Sequence, residues 1–287
     1  MKIARFNGGR IGVVVNDEIV DVTEACVVDP AEWPPVGINR AIAKFASLRP
    51  AIEAATKTGS RKALGSVHLE TPIPWPHKLL AMPGNFAAHS EEMRKSGFGV
   101  AGSKPANESG FFMKSNGSLI GSDEPIVIPD RPGREFHHEC EIATIIGVGG
   151  KDIPAARALD HIFGYACLVD VTMRGAGERV MRKSFDSFTP VGPWITTSDE
   201  VGAPDDIDMR LWVNGELRQH AVANEMVVGI REQVEMCSSI TRLEPGDIIA
   251  SGTMAGVGPI VSGDEVVIEI ARVGRMALKV TSLAFAR

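Results

Sequence analysis

The sequence predicts a β-rich α+β fold, and three observations carry that prediction. From about residue 119 onward, short runs rich in β-branched residues follow one another: EPIVIP, ECEIATIIG, GYACLVDVTM, GPWITT, MRLWVNGEL, DIIASGT and DEVVIEIARVGRMALKVTS. Asn214-Gly215 is a hairpin signal, and Gly-Asp pairs at 246–247 and 263–264 mark further turns. Helical patterning in this part is confined to roughly 154–163 and 225–240. Strands and helices therefore do not alternate as they do in a doubly wound sheet.

The elements follow in order. Residues 1–25 read as a β-meander, broken at Asn7-Gly8-Gly9 and at Asn16-Asp17. INRAIAKFASLRPAIEAATKTG reads as helix, with Pro50 ending or starting a turn of it. The proline-rich connector TPIPWPHK, 71–78, marks a boundary. It divides a small accessory domain, 1–72, from a larger domain, 73–287. A short helical piece and a Gly/Ser-rich stretch follow within 79–118, and about 85–110 has the character of a lid.

Bulk properties narrow the function. A net charge of −6 over 287 residues gives no general attraction to nucleic acid or to an anionic membrane. No stretch is long and apolar enough to span a bilayer, and the N-terminus lacks the apolar run of a signal peptide. Cys26, Cys140, Cys167 and Cys237 are scattered, without a CxxC pair. Buried free thiols in a cytoplasmic protein are the expectation.

The segment FHHECEIATIIG poses the chemical question, because it sets two glutamates at the mouth of an apolar strand. Side chains alternate along a strand, so His137, Glu139 and Glu141 share one face while His138, Cys140 and Ile142 share the other. Glu139 and Glu141 would sit roughly 6–7 Å apart along the strand at ~3.3 Å per residue. A divalent cation between them would relieve both their repulsion and their desolvation. All-oxygen ligands favour Mg²⁺, Mn²⁺ or Ca²⁺. Asp170, at the polar end of another apolar strand, is a third candidate ligand, and a turn or cap is the alternative for it. The alternative for the glutamates is a solvated strand end. Zinc on His137, His138 and Cys140 is disfavoured, since these residues do not share a face.

These motifs, in order, resemble the fumarylacetoacetate hydrolase family. HHECEIATIIG is similar to its E-x-E strand, GYACLVDVTMRG to its GY…NDVSARD segment, and RKSFDSFTPVGPWI to its KSFD…PlGPw segment. VNGELRQ, LEPGDIIASGTMAGVG and SGDEVVIEI complete the series. The resemblance runs from about Leu80 to the C-terminus, and the N-terminal region is similar to the accessory domain of bacterial members. It implies a rolled mixed sheet, a homodimer, and one Mg²⁺ or Mn²⁺ held by Glu139, Glu141 and Asp170.

The resemblance also implies roles at the site. His89 and Glu92, three residues apart in GNFAAHSEEM, are similar to the family's His–Glu dyad on a lid, although Phe86 and Ala88 replace its tyrosine and aspartate. Lys183 would steady the enolate. Thr253 would reach the substrate carboxylate, with Met254 in place of the usual proline. Arg174, Gln219 and Lys114 are further pocket candidates. Gly175 stands where an aspartate is common, and His137 and His138 depart from the family's DYEvE form. The implied reaction is hydrolytic C–C cleavage of a β-diketo acid, an acylpyruvate or fumarylpyruvate, in aromatic catabolism. The same metal enolate would serve an oxaloacetate-type decarboxylase or a hydroxy-diene-dioate isomerase. A non-catalytic, metal-stabilised protein is the reading from another class.

Overall fold

The computed structural model describes residues 1–97 and 104–283. The part of the expected lid at 98–103 lies outside the described residues.

The β-rich α+β fold is what the chain adopts. Among the described residues the larger sheet has twelve strands and is mixed. Its centre is the antiparallel trio Thr189–Thr197, Ile162–Val169 and Cys140–Ile146, and Ile248–Ala250 then pairs with Leu79–Ala81 in parallel. All residues of Cys140–Ile146 and of Ile162–Val169 are buried. That explains their near-continuous apolar character, since a strand covered on both faces has no polar side to show. A second sheet of five strands packs alongside. Its hairpin turns at Asn214 and Gly215, both with positive φ, as the Asn-Gly pair requires.

The N-terminal meander forms as expected: Lys2–Phe6, Arg10–Val15 and Glu18–Asp21, with left-handed Asn7 and Asn16 at its turns. Its first strand continues the large sheet, pairing Lys2 with Thr196 and Ile3 with Ile195. We propose that the accessory unit 1–72 acts as a module joined to the body through this ladder.

Three local expectations shift. The predicted helix at 38–59 breaks at Lys44, and its second segment, Phe45–Thr58, runs through Pro50. Ala46 and Pro50 are both exposed, so water can take the carbonyl whose donor the proline lacks. The stretch 154–163 is a 3₁₀ helix only over Ala155–His161, because the apolar run from Ile162 enters the sheet. The helix expected at 225–240 begins at Ile230, after Gly229.

Candidate active site

The acidic strand bends as it leaves the sheet. Phe136–His137 pairs with Thr172–Met173, and Cys140–Ile146 pairs with Ile162–Val169. Glu139 lies in the gap between these ladders. Asp170 immediately follows the partner strand, and its N–H donates to the Glu139 carbonyl at 2.9 Å. Both ladders thus end at one point. One oxygen each of Glu139, Glu141 and Asp170 lies within 4.8 Å of the others, and all three residues are buried.

The electrostatics suit a cation. Burial and the neighbouring Asp170 push the Glu141 carboxyl well above its usual range. Burial also opposes charge on Glu139, but Lys183 and Arg174 hold its carboxyl low. Lys183 Nζ donates to Glu139 Oε2 and Asp170 Oδ2, each at 2.6 Å, and to Thr172 Oγ1 at 2.7 Å. Burial works against its charge too, yet Asp170, Glu139 and Glu141 raise its pKa. Three converging carboxylate oxygens fit a hard divalent ion such as Mg²⁺ or Mn²⁺ and do not fit a soft one.

The loop after Ile248–Ala250 supplies the second half of the site. Gly252 N–H donates to Glu141 Oε2 at 2.9 Å, and Gly256 N–H donates to Glu92 Oε1 at 2.9 Å. Both glycines have positive φ. A Cβ on Gly252 would meet that of Asn85 at 2.7 Å, and one on Gly256 would meet the Arg218 carbonyl at 2.0 Å. Glu92 in turn faces His89, with Oε2 3.2 Å from Nδ1. Burial disfavours charge on Glu92, but the contacts with His89 and Gly256 hold its carboxyl below the usual range. Both residues stand on the helix Ala87–Ser96, one turn apart on one face. Asn85 anchors the start of that helix. Its side chain donates to the carbonyls of Val228 and Ser251 and accepts from Val228 N–H.

A cavity of about 730 Å³ lies between the helix Ala87–Ser96 and the sheet. His89, Glu139, Arg174, Lys183 and Thr253 line it, so the structure brings these sequence candidates together. Glu92, Glu141, Asp170, Lys114 and Gln219 are not among its lining residues. Lys114 is fully buried and donates to Asp170 and, at 3.0 Å, to the Phe188 carbonyl. Gln219, 1% exposed, lies beneath Thr253. Its Oε1 accepts from Cys140 N–H at 3.0 Å and contacts His138 Nδ1 at 2.9 Å. Its Nε2 donates to Thr253 Oγ1 at 2.8 Å and to the Met254 carbonyl at 2.9 Å.

The two backbone contacts fix the Gln219 amide, because an N–H can only donate and a carbonyl can only accept. His138 must therefore carry its proton on Nδ1. The Thr253 oxygen receives a hydrogen bond, which leaves its own O–H to point elsewhere. Burial pushes His138 down to about 4, so its ring is neutral near pH 7. His137 hydrogen-bonds Glu135 at 2.9 Å and stays out of the carboxylate trio. The sequence reading missed the two glycine N–H groups and two cavity arginines, Arg179 and Arg182. The signal for the arginines was their spacing of three residues just before Lys183.

Residues 78–281 match the family model for the fumarylacetoacetate (FAA) hydrolase C-terminal region. A maleylpyruvate hydrolase from Aquipseudomonas alcaligenes is 40% identical over 288 residues, covering 99% of this chain and 100% of its own. The crystal structure of maleylpyruvate hydrolase from Sphingobium sp. SYK-6, in complex with manganese (II) ion and pyruvate, superposes with a TM-score of 0.89. It is 46% identical, covering 98% of this chain and 99% of that one. A 4-hydroxyphenylacetate degradation bifunctional isomerase/decarboxylase from Salmonella dublin is 29% identical over 300 residues, covering 91% of this chain and 68% of its own. With the family-model match spanning most of the chain, and with His89, Glu139 and Lys183 lining one cavity, the chain belongs to the fumarylacetoacetate hydrolase family.

Proposed function

We propose that this protein is a divalent-metal-dependent hydrolase that cleaves the C–C bond of an acylpyruvate, with maleylpyruvate as the nearest model substrate. The observation that carries this reading is the relay from Gly256 through Glu92 to His89, with His89 and Glu139 of the carboxylate trio lining one cavity. A lid base and an anion-stabilising floor are what hydrolysis of a β-diketo acid needs.

Glu139, Glu141 and Asp170 would hold the ion, which when bound supplies Lewis-acid polarisation of the substrate's 2-oxo acid oxygens. Thr253 donates its hydroxyl to the substrate carboxylate. His89, oriented by Glu92, takes a proton from water, and the resulting hydroxide adds to the distal acyl carbonyl. The bond between that carbonyl carbon and the adjacent CH₂ breaks. Its electron pair becomes the pyruvate enolate, whose charge Lys183 stabilises. His89 then returns the proton to the enolate carbon, giving pyruvate and a carboxylic acid. Lys114 neutralises Asp170 from behind, and Arg174 fixes Glu139.

The test is metal-dependent release of pyruvate from maleylpyruvate, fumarylpyruvate and acetylpyruvate, with oxaloacetate run in parallel. His89→Ala should lose about 10²–10⁴-fold in turnover while still binding Mn²⁺. Pyruvate from oxaloacetate alone would establish the decarboxylase instead. We further propose a homodimer, on the family resemblance, to be checked by sedimentation. A cytoplasmic location is supported by four buried cysteines without a disulfide. Among the described residues no helix is long and apolar enough to cross a membrane.

A further inference from the structure

The Gln219 amide is bonded on every side, and one of its partners is a residue that the proposed chemistry does not use. An amide side chain has two lone pairs on its oxygen and two hydrogens on its nitrogen. Here the oxygen faces Cys140 N–H at 3.0 Å and His138 Nδ1 at 2.9 Å. The nitrogen donates to Thr253 Oγ1 at 2.8 Å and to the Met254 carbonyl at 2.9 Å, with the Met254 sulfur a softer contact at 3.4 Å. Two of the bonds go to backbone. The other two join His138 to Thr253 through the amide.

His138 is 1% exposed and stands beside Glu139 in the gap between the two ladders, outside the carboxylate trio. Its backbone N–H donates to the Gly258 carbonyl at 3.2 Å, and His137 bridges to Pro259. It therefore grips the loop 251–259 twice, at Gly258 through the backbone and at Thr253 through Gln219. The backbone bonds alone settle which way up the amide sits. The imidazole adds a second donor to its oxygen. In a buried site that donor polarises the amide and strengthens donation from its nitrogen. Thr253, 3% exposed, lines the cavity. With Oγ1 accepting from Gln219, the hydroxyl hydrogen has two places to go, the Met254 sulfur at 3.8 Å or an acceptor in the cavity. A thioether is a weak acceptor, so a carboxylate oxygen takes the hydrogen.

We infer that His138 is a positioning residue for the substrate carboxylate, acting through the Gln219 amide on the Thr253 hydroxyl. This rests on the acylpyruvate reading, in which Thr253 meets that carboxylate, and deepens it. Part of the grip on a 2-oxo acid is held by a side chain that touches no substrate.

The experiment measures pyruvate binding to the Mn²⁺-loaded protein by calorimetry, in a cycle of His138→Leu, Thr253→Val and the double variant. Thr253→Val should weaken pyruvate by about ten-fold or more, as loss of a hydrogen bond to a charged group does. His138→Leu should weaken it by about three-fold or more when Thr253 is present, and should have no further effect in the Thr253→Val background. His138→Asn, close to His138→Leu in volume, returns an N–H near the place of Nδ1–H and should recover most of the affinity. His138→Phe refills the ring volume without that donor and carries the cycle if His138→Leu does not fold. Additive effects overturn the inference, as do an unchanged affinity in Thr253→Val and a His138→Asn no better than His138→Leu. A loss of Mn²⁺ affinity that matches the loss of pyruvate overturns it too, because His138 would then serve the metal strand. A coupled cycle in a protein that cleaves no acylpyruvate supports the positioning role while overturning the hydrolase reading.

Discussion

Between Lys78 and Asp247 this molecule buries one ion pair; around Glu139, Glu141 and Asp170 it buries a whole cluster. At the first place Asp247 accepts from Lys78 N–H at 2.8 Å, Glu244 N–H at 2.7 Å and Lys78 Nζ at 2.7 Å. Each carboxylate oxygen is matched, and the pair pins the start of Leu79–Ala81 beside Ile248–Ala250. At the second place three acids converge, with Lys114, Lys183 and Arg174 around them. Burial raises the Asp247 carboxyl somewhat, whereas it pushes Glu141, beside Asp170, well above its range. A structural ion pair is complete within the protein. The proposed metal cluster would be complete only once a cation and a substrate are bound.

The widest separation of the two regions should come from metal binding. Asp170→Ala or Glu141→Ala should weaken Mn²⁺ affinity by more than the ~10–100-fold that loss of an outer partner costs. EDTA should abolish turnover of the wild type, and Mn²⁺ should restore it. Unaltered Mn²⁺ affinity in either variant, measured by calorimetry, would break the comparison.

Stability should respond at the other region. Asp247→Ala should destabilise the fold by about 3–5 kcal/mol, because Lys78 is left buried and unpaired. The double variant Lys78→Met/Asp247→Leu should recover in thermal unfolding only the part due to the unpaired Lys78 ammonium, because the Lys78 and Glu244 N–H groups still lack their acceptor.

A smaller effect is expected between the two. Gln219→Leu removes the donor that orients Thr253 and the acceptor that fixes His138, at about 1–3 kcal/mol. We expect KM to rise more than kcat falls, because Thr253 is placed on the substrate carboxylate rather than on the reacting carbon. A fall in kcat with KM unchanged would show that Gln219 serves the carboxylate centre itself.

The cysteines give the smallest response and a control for burial alone. Burial pushes the thiols of Cys26, Cys167 and Cys237 up to about 12, so almost no thiolate exists at pH 8. Thiol reagents should label the native protein very slowly, and all four cysteines should react once it is unfolded.

Local patterning made Glu139, Glu141 and Asp170 candidates but left a solvated strand end and a turn or cap open, and the family motifs are what joined the three. The lid pair was legible through its i, i+3 spacing. Gln219 and Lys114 were readable as neighbours of the site but not as groups behind its wall, since burial depth leaves no trace in local sequence. The same limit hid Pro50 inside a helix, where exposure of Ala46 removes the usual penalty.

By itself the sequence determined the β-rich class and the turns at Asn7, Asn16 and Asn214, because these follow from local propensity and periodicity; the family resemblance is what joined Glu139, Glu141 and Asp170 as candidate ligands. Tertiary structure alone decided which N–H groups reach Glu141 and Glu92, and which way the Gln219 amide faces. It also decided that Arg179 and Arg182 line the cavity that Glu139 and Lys183 line. Those are contacts between segments far apart in the chain, fixed by how two sheets and the helix Ala87–Ser96 pack.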